Sequence, residues 1–246
     1  MLERAAETYT AHSTADPAVQ FNTVYPTPCT TVPSIGIAAA SDKRYSLAVP
    51  MTSRDDVLNV VLPHRLDAIA TLNLLIRLRM KWKTPRPMEV RFDDQIQFTG
   101  NSSAFTNPVI EAGLIHCRAL LEFVGLGASP DDPKKLVQRG AKRRRDDWAI
   151  EHFSNAAGPL PMVSPKHAIS KYKGDPAEAE KALAAVLHVA NKALAHITSA
   201  PGGTIDIELL EIASRGVPAI LTSFFYTPLG LTPPTPNISS RGGNDG

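Results

Sequence analysis

The sequence predicts a mainly α protein: a helical bundle of four to five helices, with one small β-hairpin and disordered termini. Three observations carry this. Apolar residues recur every three or four positions along several stretches, prolines and glycines stand at the ends of those stretches, and Thr-, Ser- and Pro-rich segments flank them.

Along the chain, residues 1–53 read as a flexible N-terminal arm, because no period of 2 or 3.6 lasts long enough there to bury a face. Residues 54–226 read as one helical domain and 227–246 as a disordered C-terminal tail rich in Pro, Gly and Ser. The first helix is expected to open at Pro63, with Leu66, Ile69, Leu72, Leu75 or Ile76, and Met80 on its buried stripe. Next, Val90 and Phe92, then Ile96 and Phe98, alternate with polar residues around Asp93 and Asp94, which predicts a hairpin with a two-residue turn. Asn107 followed by Pro108 predicts a second helix running to a stop at Gly125, with Val109, Gly113, Cys117, Leu120, Leu121 and Val124 inward.

The stretch Ala128 to Gly140 reads as a loop, Arg145 to Phe153 as a short helix after a basic run, and Ala157 to Gly174 as a linker. The long helix should begin at Asp175, with Glu178 completing a capping box and Ala179, Leu183, Val186, Leu187, Ala190, Leu194 and Ile197 facing inward. Thr204 is expected to cap the last helix, Gly216 to break it, and Pro218 to reopen a short apolar turn. No internal repeat appears at solenoid periods.

Composition narrows the class. A hydrophobic share of 43% and a charged share of 20% are ordinary for a globular chain, and the 54–226 segment is long enough for a core without metal or disulfide staples. Two cysteines, Cys29 and Cys117, make no disulfide framework, and the N-terminus lacks a secretory pattern, so a cytoplasmic setting is expected. No run of 18 apolar residues offers a membrane span, and no cofactor-binding motif is present: the chain lacks a Gly-rich phosphate loop, a C-x-x-C pair, H-E-x-x-H and G-x-S-x-G.

Two places hold candidate chemistry. One is a pair of helices carrying His116, Arg118 and Glu122 on one side and His188, Asn191, Lys192 and His196 on the other. Arg118 and Glu122 stand at i, i+4 and can fix each other's orientation, while Asn191 beside Leu187 and Leu194 needs hydrogen-bond partners if buried. The other is the basic run of Lys134, Lys135, Arg139, Lys142, Arg143, Arg144 and Arg145, whose charge density suits a phosphate backbone, an acidic protein or an anionic lipid surface, or else a solvated loop offset by Asp131, Asp132, Asp146 and Asp147. His64, His152 and His167 read as solvated or capping residues, and Cys117 as a small buried hydrophobe.

The run N191-K192-A193-L194-A195-H196 resembles the R-(polar)-x-x-x-H signature of HEPN-type helical domains, the higher eukaryote and prokaryote nucleotide-binding family. The resemblance implies a helical bundle and a dimer that brings two motifs together, and in many members metal-independent ribonuclease activity. It covers one helix, and the family's arginine would fall near Ala190 or Asn191, so only His196 as general acid or base and Lys192 as the cation carry over. The expectation is an interaction or regulatory module with an unknown protein partner or a second copy, nucleic acid at the 134–145 run, and no membrane; the alternative is a HEPN-like ribonuclease or an inactive relative.

Overall fold

The computed structural model describes residues 53–82, 84–140, 147–192 and 206–238, and over these the chain is mainly helical. No helix among the described residues is long and apolar enough to cross a membrane.

The first helical stretch begins nine residues before the expected proline. Ser53 caps it, its hydroxyl accepting the Asp56 amide at 3.1 Å. A single turn, α1 (Arg54–Asp56), passes into a π turn (Val57–Val61) and then into α2 (Leu62–Lys81). Proline at 63 would ordinarily clash with the carbonyl four residues back; the wider π turn opens the backbone there, so the helix continues through a residue that sequence rules place at its start. Leu66, Ile69, Leu72, Leu75 and Ile76 are buried as expected, whereas Met80, near the open end of α2, is 47% exposed.

The hairpin forms where the alternation predicts it. Strand β1 (Pro87–Phe92) pairs antiparallel with β2 (Gln95–Asn101), with a register shift between Val90 and Arg91. Asp93 and Asp94 lie at φ 48° and 62°, both left-handed, as the mirror-image turn of a two-residue hairpin requires, and aspartate tolerates that region better than most side chains. At the base, Ser102 and Arg86 exchange bonds: the Ser102 amide donates to the Arg86 carbonyl at 2.7 Å and the Arg86 amide to the Ser102 hydroxyl at 3.0 Å.

Helix α3 (Ser102–Phe123) also starts earlier than expected. The cap is Asn101, whose side-chain oxygen accepts the amides of Ser103 and Ala104, while the predicted cap Asn107 lies within the helix and accepts Arg79 at 2.7 Å. Pro108 is therefore interior to α3, and the helix stops at Gly125, whose φ of 96° suits glycine.

The expected loop from Ala128 to Gly140 instead contains a short ladder, β3 (Leu126–Ala128) with β4 (Leu136–Gln138), and Leu136 is buried. Three-residue strands carry too little periodicity to be read. The short helix expected up to Phe153 shrinks to a 3-10 turn, Ile150–His152, and a second tiny ladder, β5 (Ser154–Asn155) with β6 (Gly158–Pro159), follows. The expected linker contains α4 (Pro165–Ile169), capped by Ser164.

Helix α5 (Pro176–Lys192) starts as predicted, Asp175 accepting the Ala177 amide at 2.9 Å. The capping box is replaced: the Glu178 carboxylate accepts the Tyr172 hydroxyl at 2.7 Å. Ala179, Leu183, Val186, Leu187 and Ala190 are buried; Leu194 and Ile197 lie outside the described residues, as does Thr204. Helix α6 (Ile207–Leu221) is capped by Asp206 and runs unbroken through Gly216 and Pro218, because Leu209, Leu210, Ala213, Val217, Ile220 and Leu221 keep one continuous buried face. A π turn (Thr222–Tyr226) and a 3-10 turn (Thr227–Leu229) extend it.

Helices α2, α3, α5 and α6 supply most of one hydrophobic core, into which Phe123, Phe153 and Phe225 lock edge to face. The chain past Tyr226 does not leave this core at once, contrary to the expected tail. The Asn155 amide donates to the Pro228 carbonyl at 3.1 Å, and Asn237 bonds both oxygens of Asp67 on α2 through its backbone and side-chain nitrogens.

Candidate functional site

The structure places the predicted polar residues unequally. Arg118 and Glu122 do pair on α3, Nε to Oε1 at 2.9 Å, and Glu122 also takes Arg139 from beyond β4 at 2.7 Å. Arg139 thus ties the segment after β4 to α3. Lys135 is similarly engaged, its ammonium 3.0 Å from Glu180 of α5, whose other oxygen accepts the Leu136 amide. Two members of the basic run therefore answer carboxylates on distant helices rather than the neighbouring aspartates. Lys142, Arg143, Arg144 and Arg145 lie outside the described residues. Asn191 is half-buried on the last turn of α5, and the Lys192 side chain and all of His196 again lie outside the described residues.

A histidine pair that spacing gave no means of finding sits between α2 and α3. The rings of His64 and His116 meet edge to face at 5.3 Å, and Arg65 stands 3.3 Å from His116 Nδ1. A guanidinium only donates, so Nδ1 accepts and the neutral ring carries its proton on Nε2. Burial, then the Arg65 and His64 charges, push the His116 pKa down to about 4. The sign follows from linkage. Between pH 6.5 and about 4 the unfolded chain binds a proton at this histidine and the folded chain does not, so the stabilising contribution is whole above pH 6.5 and is lost as pH falls toward 4. The expected result is a His116 ring resonance titrating near 4 by NMR, and a shallower loss of stability across that window in His116→Gln. An unshifted titration would remove the claim.

Two further histidines, His152 and His167, are architectural. His152 Nδ1 accepts the Ala149 amide at 3.1 Å, and His167 stacks on Phe224. Cys117 is fully buried and its thiol is pushed up by that burial. Among the described residues, no group of three or more His, Cys, Asp or Glu could hold a metal ion.

Among the described residues, three exposed large apolar side chains gather on the hairpin. Phe92 is 65% exposed, and Ile96 and Phe98 are each 48% exposed, while every residue of β2 is exposed. Register puts Phe98 opposite Val90, on the side that also bears Met88 and Phe92. The two edges differ. Strand β1 begins with Pro87 and carries Glu89 and Arg91, which bond each other at 2.8 Å, so that edge is blunted in the usual way. Strand β2 reads QIQFTGN, without a charge or a proline, and among the described residues it pairs only with β1. A two-stranded hairpin standing alone is marginal in water, and three or more strands or a covering surface are what stabilise it. The sequence signal for this site was present in the alternation of apolar residues about Asp93–Asp94; that the register shift turns Ile96 to the Arg91 side, and that the core leaves both faces exposed, was not.

Compared with family models, with curated proteins and with solved structures, the chain matches none, so its function is argued from its own geometry.

Proposed function

We propose that the protein is an interaction module, a four-helix bundle of α2, α3, α5 and α6 that works as a homodimer joined edge to edge through β2. The observation that carries this reading is the uncharged β2 strand, exposed along its whole length, at the outer edge of a hairpin with an apolar side. Two antiparallel copies of QIQFTGN bring no charges together, whereas β1 starts with Pro87, which offers no amide, and carries Glu89 and Arg91 already bonded to each other. Pairing about a two-fold axis is self-complementary and closed, and it yields a four-stranded sheet that meets the stability requirement the single hairpin misses. A closed pair also removes the free edge that would otherwise recruit unrelated strands.

The test is sedimentation equilibrium of the intact chain at micromolar concentration, beside Ile96→Lys/Phe98→Lys. Both positions are exposed, so the double variant keeps its helical circular dichroism. The wild type is expected at twice its 26.5 kDa chain mass and the variant at the single mass. A wild type that stays at the single mass overturns the homodimer. The enzymatic alternative comes from the HEPN resemblance and is tested separately with labelled RNA in the absence of metal. Cleavage by the wild type that is lost in His196→Ala would replace the interaction reading with a ribonuclease.

A further inference from the structure

Away from the hairpin, a cavity of about 240 Å³ opens between α4, the Ser170–Gly174 turn, α5 and α6. Its floor is made of small and aliphatic side chains, Ala168, Ala179, Leu183 and Ile220, with Gly216 between them. Gly216 keeps the floor deep: a β-carbon there would sit in ordinary contact with Leu183, 3.6 Å away, so the helix does not need a glycine at this position for packing. The rim is different in kind. Lys171, Lys173 and Arg215 surround the opening together with Tyr172. Arg215 is held in place by two 2.8 Å bonds to Glu211, and Lys171 stands over the Phe224 ring at 5.3 Å, so two of the three cations are oriented in advance. Against these cations the mouth has two carboxylates, Glu211 on Arg215 and Glu178 on the Tyr172 hydroxyl, which leaves positive charge in excess.

An apolar floor beneath a cationic rim selects for a molecule with one apolar body and one anionic head. We propose that this cleft binds a small amphipathic anion, its hydrocarbon part on Ala179, Leu183 and Ile220 and its acidic group between Lys171, Lys173 and Arg215. The size of the cavity, below the roughly 300–1,000 Å³ of drug-sized sites, favours a short chain or a single ring over a long lipid.

The experiment uses the full chain and the single-ring fluorescent carboxylate 2-aminobenzoate, displaced by octanoate and, as the uncharged control, by octanol. The expected result is one saturable site per chain, displaced by octanoate and not by octanol at equal concentration. Lys171→Gln/Lys173→Gln should weaken probe binding about tenfold or more, since both lysines are exposed and neither holds the core. Ala219→Leu, at an exposed position of the lining, should block the floor and abolish binding. Ile96→Lys/Phe98→Lys should leave binding unchanged, which separates this site from the hairpin and from the dimer. Absence of saturable binding, equal displacement by octanol, or affinity untouched in both cleft variants would each overturn the assignment.

Discussion

Gly113→Val is expected to destabilise the fold by about 3 kcal/mol. A β-carbon built on Gly113 would stand 2.5 Å from the β-carbon of Leu72, and Leu72 is fully buried in α2. Neither atom is the loose end of a side chain that could swing aside; both are one bond from a helix backbone. The only relief is for α2 and α3 to move apart, which opens the packing of Ile69, Leu72 and Ile76 against Cys117 and Leu120. Alanine makes the sharper comparison. On helix propensity alone it should gain about 1 kcal/mol over glycine, yet overpacking costs about 1–3 kcal/mol, so Gly113→Ala should still lose stability, by less than valine. Urea midpoints at unchanged slope measure both effects. A valine variant as stable as the parent would mean that α2 and α3 do not approach this closely.

Phe225→Ala should cost about 3–5 kcal/mol. Phe225 is fully buried and meets Phe153 at 4.9 Å and Phe123 at 5.2 Å, both edge to face, with Tyr226 at 5.2 Å. Removing its ring strips three others of a packing partner and leaves a void that rigid helices fill poorly. Because Phe123 comes from α3 and Phe153 follows the 3-10 turn, the loss is shared by segments far apart in sequence, and unfolding should stay cooperative. Global stabilities of domains run about 5–15 kcal/mol, so this single change removes a large share. A shift in the thermal midpoint of only one or two degrees would show that the cluster is not the centre of the core.

Much of this was legible in the chain, and the reasons for the rest are physical. The buried stripes of α2, α3 and α5 follow a 3.6 period, so Leu66, Ile69, Leu120 and Leu187 are where the spacing puts them. Asp93–Asp94 turned without glycine because two aspartates accept left-handed backbone. Helix ends differ from expectation where a tertiary device outweighs a local signal: a π turn just ahead of Pro63, an Asn101 cap six residues ahead of Asn107, and the buried face that carries α6 past Gly216 and Pro218. At the candidate sites, only the Arg118–Glu122 pair was visible, since i, i+4 geometry is local. Arg139 on Glu122, Lys135 on Glu180 and His64 against His116 join residues brought together by folding, and one sequence holds no record of such meetings.

The π turn over Val57–Val61 counts one residue more than a regular helix needs. Deleting a single residue there, such as the exposed Val60, would let an ordinary helix form with its two flanks close to their present orientation, because the wider turn already absorbs the extra residue. Arg54 would then still face the His152 carbonyl it reaches at 2.7 Å and the Phe153 ring it covers. What the deletion would take away is slack: Pro63 would stand inside a regular helix and press on the carbonyl four residues before it, so the spare residue is what lets one helix run through a proline.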